Sequence, residues 1–118
     1  MQTAAAVVVA LVALLHLWFL VLEMFLWEKP AGLRAFGQSP AQAAASRVLA
    51  ANQGLYNGFL AAGLVWGLVR GPAGREIVIF FLACVLVAGL YGAATANRRI
   101  LFVQALPAAI ALGLLLVS

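Results

Sequence analysis

From Ala4 to Trp27 the chain runs for 24 residues with only two ionisable side chains, His16 and Glu23. A helix of that length rises ~36 Å, enough to cross the ~30 Å hydrocarbon layer of a bilayer with some tilt. The two polar residues are seven apart, close to two helical turns, so they project from nearly one face, which Leu20 and Trp27 extend. An ionised carboxylate in hydrocarbon costs at least ~3 kcal/mol on insertion scales, so Glu23 must face a protein interior, carry a proton or have a partner. The remainder of the chain is expected to supply that interior.

Composition fixes the class. Of 118 residues, 67% are hydrophobic and 8% charged, against about 25% charged in a soluble domain. The chain is expected to be an integral membrane protein forming a single domain over residues 1–118. Its net charge of +4 comes from basic residues at the ends of apolar runs, where they set topology and meet lipid headgroups. Membrane lipid is therefore the expected partner, and the pattern gives no support to nucleic-acid binding. Met1-Gln2-Thr3 carries no basic n-region, and the first apolar run ends in Trp27-Glu28-Lys29-Pro30 rather than a small-residue cleavage site, so it is expected to be retained as a span. Cys84 is the only cysteine. It allows no intrachain disulfide and is expected to act as a small buried hydrophobe.

The expected fold is an all-α membrane protein: a four-transmembrane-helix bundle with antiparallel up-down connections and a helical extension leading into the second span. The spans are placed at about 4–27, 48–69, 77–96 and 100–117. Glu28 to Gln38 reads as a surface loop broken by Pro30, Gly32 and Gly37. Ser39-Pro40-Ala41-Gln42 reads as a helix start, with Ser39 as N-cap and Gln42 completing a capping box. Gly71, Pro72 and Gly74 permit a reversal after span two, and Asn97-Arg98-Arg99 leaves room only for a tight hairpin. Pro107 should kink span four or relieve its backbone locally. Loops one and three hold Lys29, Arg34, Arg47, Arg98 and Arg99, whereas loop two holds only Arg70 and Arg75. That bias places loops one and three in the cytoplasm and both termini outside.

Small residues four apart mark packing faces: Gly54 and Gly58, Gly63 and Gly67, Ala88 and Gly92, and Ala105, Ala109 and Gly113. They are read first as intrachain contacts and second as the seam of a homo-oligomer.

The polar residues gather at one depth. Glu23 lies a turn from the loop-one end of span one; Asn52, Gln53, Tyr56 and Asn57 lie in the first turns of span two; Tyr91 and Thr95 close span three; Gln104 sits a turn into span four. With His16 as floor and Trp27 beyond Glu23, these ten residues form the candidate binding site. The competing reading is that Asn, Gln, Tyr and Thr here only bridge helices, at about 0.6 kcal/mol each. No metal or cofactor is expected, because one His and one Glu fall short of the usual zinc ligand set. Phosphate loops, haem ligand pairs and nucleophile–base pairs are likewise absent from the sequence.

The run Glu23-Met24-Phe25-Leu26-Trp27 after His16, the stretch Ala50-Ala51-Asn52-Gln53-Gly54-Leu55-Tyr56-Asn57-Gly58, then Tyr91-Gly92-Ala93-Ala94-Thr95, and Gln104 with Pro107 resemble the domain of unknown function 1304 family. The resemblance implies a four-helix protein of the bacterial cytoplasmic membrane. It marks His16, Glu23, Asn52, Gln53, Asn57 and Tyr91 as motif positions, and it supplies no activity.

Two function classes stay open. One is a carrier of a small hydrophobic or cationic molecule, in which a buried Glu exchanges a proton for the ligand; size and span count are similar to the small multidrug-resistance transporters, but the motifs differ. The other is an intramembrane acid–base enzyme, or a protein that binds lipid or quinone, with the four-span sterol isomerases as an architectural analogy.

Overall fold

Long apolar runs with neither period-two alternation nor strand-like turns fold here entirely as helix. The computed structural model describes all residues, Met1–Ser118, with α1 at Thr3–Met24, α2 at Pro30–Phe36, α3 at Pro40–Ala45, α4 at Arg47–Val69, α5 at Arg75–Thr95 and α6 at Leu106–Leu116. A 3-10 turn, Gly71–Gly74, precedes α5, and a π-helical segment, Leu101–Ala105, precedes α6. Two helical stretches are long and apolar enough to cross a membrane: Thr3–Met24, with 22 residues, and Gly71–Thr95, with 25. Leu101–Leu116 is apolar but shorter. The chain divides into two compact units, Met1–Leu14 with Leu60–Ser118, and Leu15–Phe59.

The larger unit holds the hydrophobic core. The first half of α1 contributes Ala5, Val9 and Val12 at helical spacing; α4 contributes Leu64, α5 Val78, Leu82 and Val85, and α6 Ala108, Ala111 and Leu115. Close approach depends on glycine where backbone meets backbone. A Cβ on Gly89 would stand 2.8 Å from the Ala105 nitrogen and 3.0 Å from its Cα, so α5 and the π-helical segment touch main chain to main chain. Gly63 and Gly67 of the expected small-residue faces lie against the Phe81 ring and Val78. Ala88 and Ala109 are exposed, and Gly113 meets open space. Those three positions belong to no packing face within the unit. Cys84 is half-buried.

Pro107 has no N–H to give, and the helix meets this by widening before it. The Leu106 N–H reaches back to the Leu101 carbonyl, five residues away, and Gln104 uses its amide to reach α5, donating from Nε2 to the Val85 carbonyl at 3.2 Å. The expected local relief takes the form of a π turn. At the Asn97 reversal, the Asn97 side-chain oxygen accepts from the Arg99 N–H at 2.9 Å, an Asx-type turn that fits the short connection.

Arg75, at the start of α5, donates from Nη2 at 3.1 Å to the Leu115 carbonyl at the end of α6, which also accepts from Ser118 Oγ at 2.7 Å. Arg75→Ala is expected to cost about 0.5–1.5 kcal/mol and to raise amide exchange in residues 113–117. Hydrogen exchange read by mass spectrometry checks this, and unchanged protection there would show the contact to be idle.

The smaller unit departs from the expectation in two places. Residues 28–38 are not a loop: Pro30 opens α2 with its φ preset for helix, and Gly37, at φ 62°, closes it in the left-handed conformation. The first span also ends earlier than Trp27. Helix α1 stops at Met24, and the Phe25 and Leu26 N–H groups both return to the Val21 carbonyl as the chain turns. Gly32 lets α2 fold back on this turn, since any Cβ there would strike the Leu26 carbonyl oxygen. The capping box before α3 is present in full, Ser39 accepting from the Gln42 N–H and Gln42 from the Ser39 N–H.

Candidate functional site

Within Leu15–Phe59, three polar side chains are buried: His16, Glu23 and Asn57. Helix α1 positions the first two, seven residues apart, and α4 brings the third to Glu23. Asn57 donates from Nδ2 to Glu23 Oε1. Two glycines make the approach: Gly54, where a Cβ would stand 3.1 Å from the Glu23 Cβ and 3.3 Å from the Leu20 carbonyl, and Gly58, where it would stand 2.7 Å from Leu20 Cδ1. The small residues predicted to be a packing face on α4 are thus what lets an amide and a carboxyl meet. His16 is wholly buried and packs edge-on to Phe19, with ring centroids 5.2 Å apart.

Glu23 opens into a cleft of about 290 Å³ lined by Met24, Phe25, Trp27 and Ala51 and by three charged residues, Glu28, Lys29 and Arg47. Arg47 Nη1 lies 3.9 Å from Glu28 Oε1. Both side chains are well exposed, so the pair contributes little to stability, at most about 1 kcal/mol. Glu28 therefore offsets Arg47 locally, and Lys29 stands as the cation that faces the same cleft as Glu23.

Trp27 lines the cleft but also clamps its wall. Its indole Nε1 donates to the Ala43 carbonyl at 3.0 Å and to Ser46 Oγ at 3.2 Å, and its ring packs on Phe36 at 4.8 Å. Ser46 Oγ in turn donates to the Gln42 carbonyl at 2.9 Å. One side chain thereby ties α2 and α3 to the end of α1.

The other expected site residues fall elsewhere. Asn52, Gln53 and Tyr56 lie in the same first turns of α4 but are exposed, so of the four polar residues there only Asn57 joins the buried pair. Tyr91, Thr95 and Gln104 belong to the other unit. Tyr91 is exposed, Thr95 Oγ1 donates to the Tyr91 carbonyl at 2.7 Å, and Gln104 is engaged with Val85. Lys29 and Arg47, which carry part of the basic-residue bias, and Glu28, which opens the expected first loop, are cleft residues outside the expected site. Their position directly after Glu23 and directly before the polar turns of α4 is the signal that could have placed them.

The chain is all-helical, with two helices long and apolar enough to cross a membrane, and it sets a buried carboxyl–amide pair beside a charged cleft. The chain belongs to the family described as "Protein of unknown function (DUF1304)", whose model matches residues 10–116. It is 32% identical over 96 residues to "Uncharacterized protein YpaA" of Lactococcus lactis subsp. lactis, a match covering 80% of this chain and 81% of that protein. No solved structure matches it.

Proposed function

We propose that this chain is a four-span protein of the bacterial cytoplasmic membrane that binds a small molecule at the Glu23 cleft and passes it on by exchange at the carboxyl. The observation that carries the reading is the Glu23–Asn57 pair, buried on its protein side and open to a cleft on the other. A carboxyl so placed can hold a proton or the cationic group of a ligand, and the two occupants exclude one another. Such competition is the minimum device a proton-coupled carrier requires.

The membrane assignment draws support from what the helices expose. Leu11, Phe80, Val87 and Phe102 are each more than half exposed, an apolar surface that lipid covers at no cost and water does not. The polar first half of α4 would then lie at the interface end of its span, at the level of Lys29 and Arg47. Loops one and three are cytoplasmic on the basic-residue bias. After Cys84→Ala, a cysteine replacing Gln38 is expected to resist an impermeant maleimide in intact cells while one replacing Ala73 reacts. Labelling at position 38 alone would reverse the orientation.

Native mass spectrometry of the protein purified in mild detergent tests the binding function. Wild type should retain a non-protein mass that Glu23→Gln and Asn57→Ala lose. Identical spectra from all three proteins would overturn the reading, and a retained quinone or sterol-like lipid would move it to the class of lipid-binding or intramembrane acid–base proteins.

A further inference from the structure

We infer that the ligand of the Glu23 cleft is a small zwitterion, an ammonium joined to an oxyanion by a short carbon chain. The inference rests on the binding function proposed above and adds the chemical class of the occupant. The cleft is dipolar. Its deep end is the carboxyl of Glu23, which already holds one hydrogen bond from Asn57 and accepts further donors. Around it stand Lys29, Arg47 and Glu28, all exposed, with Glu28 3.9 Å from Arg47 and Lys29 outside that pair.

A simple cation would satisfy Glu23 and leave Lys29, the cation of the cleft that Glu28 does not pair, without a counter-charge. A simple anion would be held by Lys29 and repelled by Glu23. A zwitterion with its ammonium on Glu23 satisfies both, with charge-assisted contacts at each end and no net charge carried into the site. Between the ends, Met24, Phe25 and Trp27 offer apolar surface suited to a few methylene groups. The volume, about 290 Å³, lies at the small end of the ~300–1,000 Å³ range of ligand pockets, which suits a metabolite-sized molecule or a single lipid headgroup. The headgroup of phosphatidylethanolamine, a phosphodiester, has this chemistry with no net charge, and ethanolamine phosphate, a monoester, has the same two ends with a further partial negative charge on its phosphate.

Isothermal titration of the detergent-solubilised full chain compares three probes: ethanolamine phosphate, ethylammonium and inorganic phosphate. Ethanolamine phosphate should bind, and each half-molecule should bind at least about tenfold more weakly, the loss of one charge-assisted contact. Glu23→Gln and Lys29→Gln should each weaken ethanolamine phosphate by about tenfold or more; Lys29 is exposed, so the second variant keeps its fold whatever happens to the first. In a parallel arm, native mass spectrometry from nanodiscs of phosphatidylethanolamine and of phosphatidylcholine separates the sources. Retention of phosphatidylethanolamine with no binding of the free phosphate assigns the headgroup, and the reverse assigns the soluble molecule.

Equal binding of ethylammonium, still dependent on Glu23, would overturn the zwitterion inference and leave the broader binding function standing. So would indifference of ethanolamine phosphate to Lys29→Gln. Absence of binding by either source overturns the inference as well, while the retained-mass comparison of wild type and Glu23→Gln decides the broader function separately.

Discussion

Glu23→Ala is expected to lower the unfolding free energy by about 1–3 kcal/mol, whereas Glu23→Gln should recover most of that loss. The cause is local. Asn57 is 7% exposed and spends an amide proton on Glu23; truncating the carboxyl leaves that amide buried with nothing in its place, while a glutamine oxygen takes the same position. The double variant Glu23→Ala/Asn57→Ala should then cost less than the sum of its singles, because the orphaned partner is gone too. Denaturant unfolding in mixed micelles, followed by circular dichroism, reads the four variants against wild type. Should Glu23→Gln destabilise as much as Glu23→Ala, the carboxyl would be held by a charge and not by the amide.

A second large effect belongs to Gly89. The atoms that a Cβ would meet there are the nitrogen, Cα and Cβ of Ala105, none of which can swing aside as a long side chain does. Gly89→Ala should destabilise by about 1–3 kcal/mol as α5 is pushed from the π-helical segment. Gly113→Ala supplies the control. Nothing lies within 4 Å of its Cβ position, so the gain of about 0.5–1 kcal/mol in helix propensity should appear undiminished. Thermal melts of the two variants should therefore move in opposite directions; a shared direction would mean that α5 does not meet Ala105 as described.

Of the site, the pairing of Glu23 with an amide of α4 was legible in the sequence, and the azimuth that selects the amide was not. Glu23 announced a buried partner because hydrocarbon tolerates no lone carboxylate, and the amides at the start of α4 were the nearest groups at the same level. Which amide it would be was a question of rotation. At ~100° per residue, Asn52 lies ~140° and Tyr56 ~100° around the helix from Asn57, so a set chosen by depth alone necessarily included residues on other faces. Gln53 lies within ~40° of Asn57 by the same measure and is nonetheless exposed; its orientation depends on packing that periodicity does not encode.

Helix α2 was hidden for a different reason. Pro30 and Gly37 are the start and stop of a short helix, and the same two residues, read without the turn that precedes them, are breakers. The capping box at Ser39 was legible because its two halves sit in sequence at a fixed spacing. Trp27 was legible as an anchor only in kind. Its bonds to Ala43 and Ser46 span 16 and 19 residues, a separation over which local pattern says nothing.

The π-helical segment before Pro107 has a meaning on another scale. A π turn holds one residue more than the α-helix around it needs, so Leu101–Ala105 is in effect an insertion accommodated without a loop. Among relatives it should behave as a paired character: chains one residue shorter between the counterparts of Arg99 and Pro107 should also lack the proline. A chain that lost the residue but kept the proline would turn the face bearing Ala105 and Gln104 by ~100° away from Gly89 and Val85. Gap placement in a family alignment would thus record, in length alone, which members keep the main-chain contact between their last two long helices.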